Sequence, residues 1–305
     1  MTGTEGATIG VMLPSAPVAA GTPGALAISA AASHAEQAGF DSVWVGDHLM
    51  TGQPVLDGLL VLATAAAASE RIAIGTGVLL VGLRPIAWVA KQIATLQVLS
   101  GGRVVLGVGS GGPWPDEWAA AGVPFSERGR RTDRALALLP PLLAGAEVVL
   151  DELDGAPTVA LAPVAPMPPV WVGGGSRVAR RWSIANDGTW FPSMVLPADV
   201  GAGRADLRAL AAELARPVPP IAVGLFGSLG PDGVPASHLA AGISGSYGVD
   251  ADRAAQLPVS GTPAAAAERL AAYCAAGADH LVVGLAGANW RHQVDLLAEA
   301  RSLLG

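Results

Sequence analysis

The chain has 305 residues, 51% of them apolar and 14% charged, which supplies ample material for one large core and excludes a disordered composition. Its formal charge is −7 and Lys91 is its single lysine, the other basic residues being scattered arginines, so a basic nucleic-acid-binding face is excluded. Cys274 is the only cysteine, which excludes an internal disulfide and a thiolate metal cluster.

From the N terminus, short β-rich apolar runs alternate with longer Ala- and Leu-rich runs. Ile9–Leu13 reads as a first strand, followed by a helix over Gly24–Ala38. Ser42–Val45 is the second strand and Val55–Ser69 its helix. The most apolar stretch of the chain, Leu59 to Ala68, lies in that helix and is about half the roughly 20 residues that a spanning segment needs. With no basic stretch and apolar run at the start to act as a secretory signal, the expectation is a soluble, cytoplasmic protein without a membrane partner. Strand–helix pairs continue as Ile72–Gly75 with Ile86–Leu99, Val104–Val108 with Glu127–Leu143, and Val170–Val172 with Ser176–Ala185. Gly188–Phe191 with Asp199–Leu214, Ile221–Leu225 with Pro263–Ala276, and His280–Gly284 with Asn289–Leu304 complete eight units.

Strict alternation implies a parallel sheet, and eight units predict closure into a (β/α)8 TIM barrel, because an open doubly wound sheet more often stops at five or six strands. Thr262-Pro263 reads as an N-cap with proline at the first helical position, and Gly39 and Gly277 stand where helix C-caps belong. Two stretches interrupt the rhythm. The proline-rich Asp151–Pro169 reads as an excursion after strand four, and Gly227–Gly261, after strand seven, reads as a mobile loop region with one short helix. Neither resembles a separate domain, so residues 1–305 are expected to form one.

Chemistry in such a fold gathers at the C-terminal strand ends. There the sequence places Asp47 and His48; Thr76, Gly77 and Val78; Gly109, Ser110 and Gly111 followed by Gly112; and Gly174, Gly175 and Ser176. A glycine-rich turn opening a helix presents backbone N–H groups at the positive end of the helix dipole, which suits a phosphate; it also serves simply as a tight turn and helix start. His48 can donate a hydrogen bond or handle a proton, while an Asp-His pair is elsewhere often structural. Trp44 reads as core, and Trp114 and Trp190 as candidates for a pocket. The other histidines show no ligand spacing, so no metal site is expected. No G-x-S-x-G elbow and no acidic pair at consecutive strand ends supports hydrolase chemistry.

At GFDSVWVGDHL (39–49), RIAIGTGVLL (71–80), RPIAWVAKQIATLQVLSGGRVVLGVGSG (84–111), GVPFSERGRRTDRAL (122–136), PPVWVGGGSRVARR (168–181) and GTPAAAAERLAAYCAAGADHLVV (261–283), the chain resembles the luciferase-like monooxygenase family. The likeness is to its deazaflavin-dependent branch, which uses coenzyme F420. The resemblance implies an F420-dependent oxidoreductase that moves a hydride to or from a small organic substrate, with an FMN-dependent monooxygenase or a non-catalytic flavin-binding barrel as alternatives. It further implies that His48 lies near the reactive ring centre and that Gly77-Val78, joined by a non-proline cis peptide, backs the ring. The loops at Gly109–Gly111 and Gly174–Ser176 would approach the cofactor phosphate, and a homodimer is expected. Where the sugar-phosphate dehydrogenases of this branch carry an acidic residue after the fourth-strand Gly-x-Gly, this chain has Gly112, which speaks against sugar-phosphate oxidation.

Overall fold

A computed structural model describes residues 7–21, 26–51, 53–231, 233–287 and 289–304. The chain opens with β1 (Thr8–Met12), α1 (Ser15–Ala19), α2 (Ile28–Gln37), β2 (Ser42–Val45), α3 (Gly58–Ala67) and β3 (Ala73–Thr76). It continues with α4 (Ile86–Ser100), β4 (Val104–Val108), α5 (Pro115–Ala120), α6 (Arg128–Leu143) and a hairpin of β5 (Val148–Val149) and β6 (Thr158–Val159). Next come β7 (Val170–Gly173), α7 (Arg177–Ala185), β8 (Thr189–Phe191), α8 (Pro197–Glu213) and β9 (Ala222–Leu229). The last elements are α9 (Ala236–Tyr247), α10 (Ala251–Ala254), β10 (Val259–Gly261), α11 (Pro263–Ala276), β11 (His280–Leu285) and α12 (Trp290–Ser302).

The main sheet has the order β10-β9-β11-β1-β2-β3-β4-β7-β8, with every pair parallel. Single bridges from Trp190 to Ile221 and from Ser193 to Gly224 join β8 to β9, so the sheet curls until its ends meet. Helices pack outside it, which buries the strands on both faces and accounts for their continuous rather than alternating apolar pattern.

Each expected strand is present, and the seventh runs on to Leu229, where β10 pairs alongside it. The short run Val259–Gly261 is thus a strand that the sequence reading passed over as loop. The region around it holds α9 and α10 rather than one short helix. The expected helix over Gly24–Ala38 begins at Ile28; Gly24 and Ala25 lie outside the described residues. The helix punctuation is as read: the Thr262 hydroxyl accepts from the Ala265 N–H at 3.2 Å, and Gly39 and Gly277 take left-handed φ values of +82° and +107°, which glycine adopts without a Cβ clash.

Alternate strand residues fill the interior. The fully buried Trp44 lies across the flanking strands at Gly10 and Gly75, where a Cβ would stand 2.6 and 2.3 Å from its ring atoms. Trp171 and Phe191 pack on Trp44 with ring centroids 4.6 and 5.2 Å away. Toward the N-terminal ends of the strands sits His280, its centroid 4.9 Å from that of Trp171, with its Nε2 3.0 Å from the Ser42 hydroxyl and its Nδ1 against the Thr8 hydroxyl. Burial pushes His280 down to about 4, outweighing the opposing pull of Asp41.

Candidate active site

A cavity of about 290 Å³ opens at the C-terminal ends of the strands, and all eight strands of the ring supply its lining. Met12 comes from β1, Asp47 and His48 follow β2, and Gly77, Val78 and Leu80 follow β3. Gly109–Gly112 and Trp114 follow β4, Gly173 and Gly174 end β7, and Phe191 and Ser193 stand at β8. Gly224–Phe226 belong to β9 and Val282 to β11, while Tyr247 reaches in from the end of α9.

Of the residues singled out from sequence, Asp47, His48, Gly77, Val78, Gly109, Ser110, Gly111 and Gly174 meet in this cavity. Thr76, Gly175 and Ser176 do not line it. Thr76 is buried and its hydroxyl donates to the Gly107 carbonyl at 2.7 Å, tying β3 to β4. Gly77-Val78 is a cis peptide. Gly175 and Ser176 lie exposed beside Gly174, where the Ser176 Oγ accepts from the Ala179 N–H at 3.2 Å and caps α7.

Trp114 lines the cavity, but Trp190 does not. Its indole is buried against Gly203 of α8, where a Cβ would come within 2.1 Å of the ring, and its Nε1 donates to the Gly174 carbonyl at 2.8 Å. Strand parity explains the difference: neighbouring residues point to opposite faces, so Phe191 enters the barrel and Trp190 faces the helices.

Asp47 is 1% exposed and held by Arg84, whose Nη1 and Nη2 donate to its two oxygens at 2.6 and 2.7 Å. The Leu80 N–H also donates to it at 2.9 Å. This pairing holds the Arg84 guanidinium above its ordinary value. With both oxygens engaged, Asp47 fixes the β2 terminus against the segment after β3 and has little capacity left for proton transfer.

The group that completes the His48 corner is Glu117 of α5, a residue that sequence reasoning missed. It is fully buried, and its carboxylate lies 3.2 and 3.4 Å from His48 Nδ1. It also accepts the backbone N–H groups of Leu49 at 2.7 Å and Met50 at 3.4 Å. With Glu117 as a carboxylate, which only accepts, the bond assigns the hydrogen to Nδ1 and leaves Nε2 as the nitrogen that faces away from Glu117. An acidic residue in a first helical turn ordinarily complements the dipole from solvent. The one sequence hint otherwise is its neighbour Trp118, which is also fully buried.

The cavity divides by chemistry. Met12, Val78, Phe191 and Val282 make an apolar wall beside the flat Gly77-Val78 peptide. Opposite, glycine brings bare backbone to the rim: among the described residues, no protein acceptor takes the N–H groups of Ser110, Gly111 or Gly112. Gly111 passes over the Trp118 indole with φ +80°, a conformation open to glycine. A flat apolar wall and a rim of unclaimed backbone donors suit a molecule with a planar ring at one end and a phosphate at the other. Among the described residues, no group of three or more His, Cys, Asp or Glu is gathered as a metal would need.

The model of the luciferase-like monooxygenase family matches residues 8–232. An uncharacterised protein of Mycobacterium tuberculosis is 35% identical over 141 residues, 46% of this chain and 49% of that one. An F420-dependent glucose-6-phosphate dehydrogenase of Beutenbergia cavernae is 45% identical over 132 residues, 38% of this chain and 37% of that one. The chain therefore spans about half or less of the length of these relatives. Among solved structures, an F420-dependent secondary alcohol dehydrogenase in complex with an F420-acetone adduct superposes with a TM-score of 0.80. It is 18% identical, and the match covers 98% of this chain and 99% of that one.

Proposed function

Because the chain belongs to the luciferase-like monooxygenase family, we propose that it is an F420-dependent oxidoreductase that moves a hydride between the deazaflavin and a small organic substrate. The observation that carries this reading is the convergence of all eight strand ends on one cavity, with an apolar wall, a backbone-lined rim and a histidine backed by a buried carboxylate. Bound F420 would supply the carbon that gives or takes the hydride.

The residues of the chain supply the rest. Met12, Val78, Phe191 and Val282 hold a planar ring, and the Gly77-Val78 peptide fixes its depth. The backbone N–H groups of Ser110 and Gly111, with Gly174, Gly175 and the start of α7, receive the phosphate. Ser176 spends an oxygen lone pair on its cap and keeps its hydroxyl hydrogen for a ligand. His48 Nε2 takes or returns the proton that accompanies the hydride, with Glu117 fixing the tautomer and stabilising the charged ring. Thr76 and Asp47 act at one remove, Thr76 tying β3 to β4 and Asp47 holding the β2 terminus.

In this reading residues 1–305 act as one barrel domain in the cytoplasm, with the segments after β4 and after β9 as excursions from it. Two copies pair through α3 and α4, where Leu60, Trp88 and Leu99 are 71%, 66% and 62% exposed around one shallow groove. Sedimentation equilibrium of the protein and a Trp88→Glu variant tests the pairing. Among the described residues, no helix is long and apolar enough to cross a membrane.

Fluorescence titration with F420 and, in parallel, FMN tests the cofactor. A dissociation constant near 1 μM, equivalent to about 8 kcal/mol, for F420 alone is the expected result. Tight binding of FMN instead replaces the reading with a flavin monooxygenase, and binding of neither removes the cofactor.

A further inference from the structure

We infer that the cavity takes a neutral, predominantly apolar substrate, gripped by Trp114 and Tyr247, and rejects phosphorylated or carboxylated ones. The inference builds on the proposed cofactor site and adds the substrate class to it.

Among the described residues, no lysine or arginine lines the cavity, and none of the residues outside the description is a lysine or arginine. Arg84, which bonds the lining residue Asp47, is committed to it and to Asp57. A substrate phosphate would therefore enter without a cationic partner, beside a cofactor that carries a phosphate of its own. An unpaired charge moved out of water into such a place is strongly disfavoured.

The walls facing the mouth are aromatic. The Trp114 ring stands edge-on to His48 at a centroid distance of 5.0 Å and to Tyr247 at 5.6 Å, and Phe226 lies 6.4 Å from Tyr247. Tyr247 is 41% exposed, and the partial burial of its ring pushes the phenol up from a value at which it is already neutral at pH 7. These rings form a box with one polar corner, His48, which suits a compact apolar body bearing a single oxygen. Gly112 is part of the device: a Cβ there would stand 2.3 Å from the Trp114 ring, so any side chain at this position displaces the tryptophan from the box. Trp114 and Tyr247 come from segments far apart in the chain, the loop after β4 and the end of α9, so the box is a tertiary construction.

The test uses a matched pair of probes, cyclohexanone and cyclohexyl phosphate, with binding read by saturation-transfer NMR on the protein with and without F420. Cyclohexanone is expected to bind at least about tenfold more tightly than the phosphate ester. Tyr247→Ala and Trp114→Ala should each weaken cyclohexanone by about tenfold, as loss of an aromatic contact implies, while F420 affinity moves less than about twofold. Tyr247→Phe, which keeps the ring, should retain most of the affinity. Equal or tighter binding of the phosphate ester overturns the inference, as does unchanged cyclohexanone binding in folded Tyr247→Ala protein. If F420 fails to bind and the ketone preference persists, the cofactor reading falls and this one stands; if F420 binds and the probes are indistinguishable, the reverse holds.

Discussion

Two histidines mark the two ends of the barrel, and their surroundings could hardly differ more. His280, near the N-terminal ends of the strands, lies among Trp44, Trp171 and two hydroxyls, with no carboxylate bonded to it among the described residues, and burial holds it neutral. His48, at the opposite end, rests on the buried carboxylate of Glu117 and is 23% exposed to the cavity. A histidine is made structural or reactive by what faces its two nitrogens, and here hydroxyls occupy both at one end while the other leaves Nε2 open.

The largest expected effect sharpens this contrast at the His48 end. Arg84→Met leaves Asp47 buried and uncompensated, which should lower stability by about 3–5 kcal/mol in urea unfolding. Adding Asp47→Asn should recover much of that loss; no recovery would mean that Arg84 acts through packing alone.

The next effect lies at the other end. The native pKa of His280, about 4, lies below its unfolded value of about 6.5, so between these values the unfolded chain binds more protons. Its contribution is complete above about pH 6.5 and is lost as the pH falls toward 4, an expected drop of about 3 kcal/mol. His280→Gln should flatten this part of the stability profile relative to the parent. An unchanged slope would place the titration elsewhere.

His48→Asn should lower kcat by about a hundredfold, the scale of one proton-transfer group, with F420 affinity nearly unchanged. A large loss of cofactor binding instead would make His48 a binding residue and break the contrast. The smallest effect is that of Gly112→Ala, expected to raise KM for an apolar substrate a few-fold, or less than about 1 kcal/mol, without altering kcat.

The same contrast shows which parts of the molecule were legible in the sequence. Buried parallel strands announce themselves as apolar runs, and the residues that follow them are placed by the fold, so His48, the Gly109–Gly111 loop and Gly174 meet at the cavity while Gly175 and Ser176 stand outside it. Glu117 was not, because its contact with His48 spans 69 residues of chain and depends on how the short α5 docks. Trp190 was misjudged because one residue of register decides whether a side chain enters the barrel, and an all-apolar strand conceals its register. The strand β10 is three residues long and exists only because β9 extends past the ring to meet it.

The joint between β8 and β9 is made of isolated bridges, whereas every other joint of the ring is a ladder of consecutive pairs. A closed cylinder with one lightly stitched seam need not open uniformly. The seam runs up the cavity wall between Phe191 and Ser193 on one side and Gly224–Phe226 on the other, across the ring from the β2 end that carries His48. The cavity wall with the fewest paired backbone groups is therefore the one that lies across the ring from the His48–Glu117 contact.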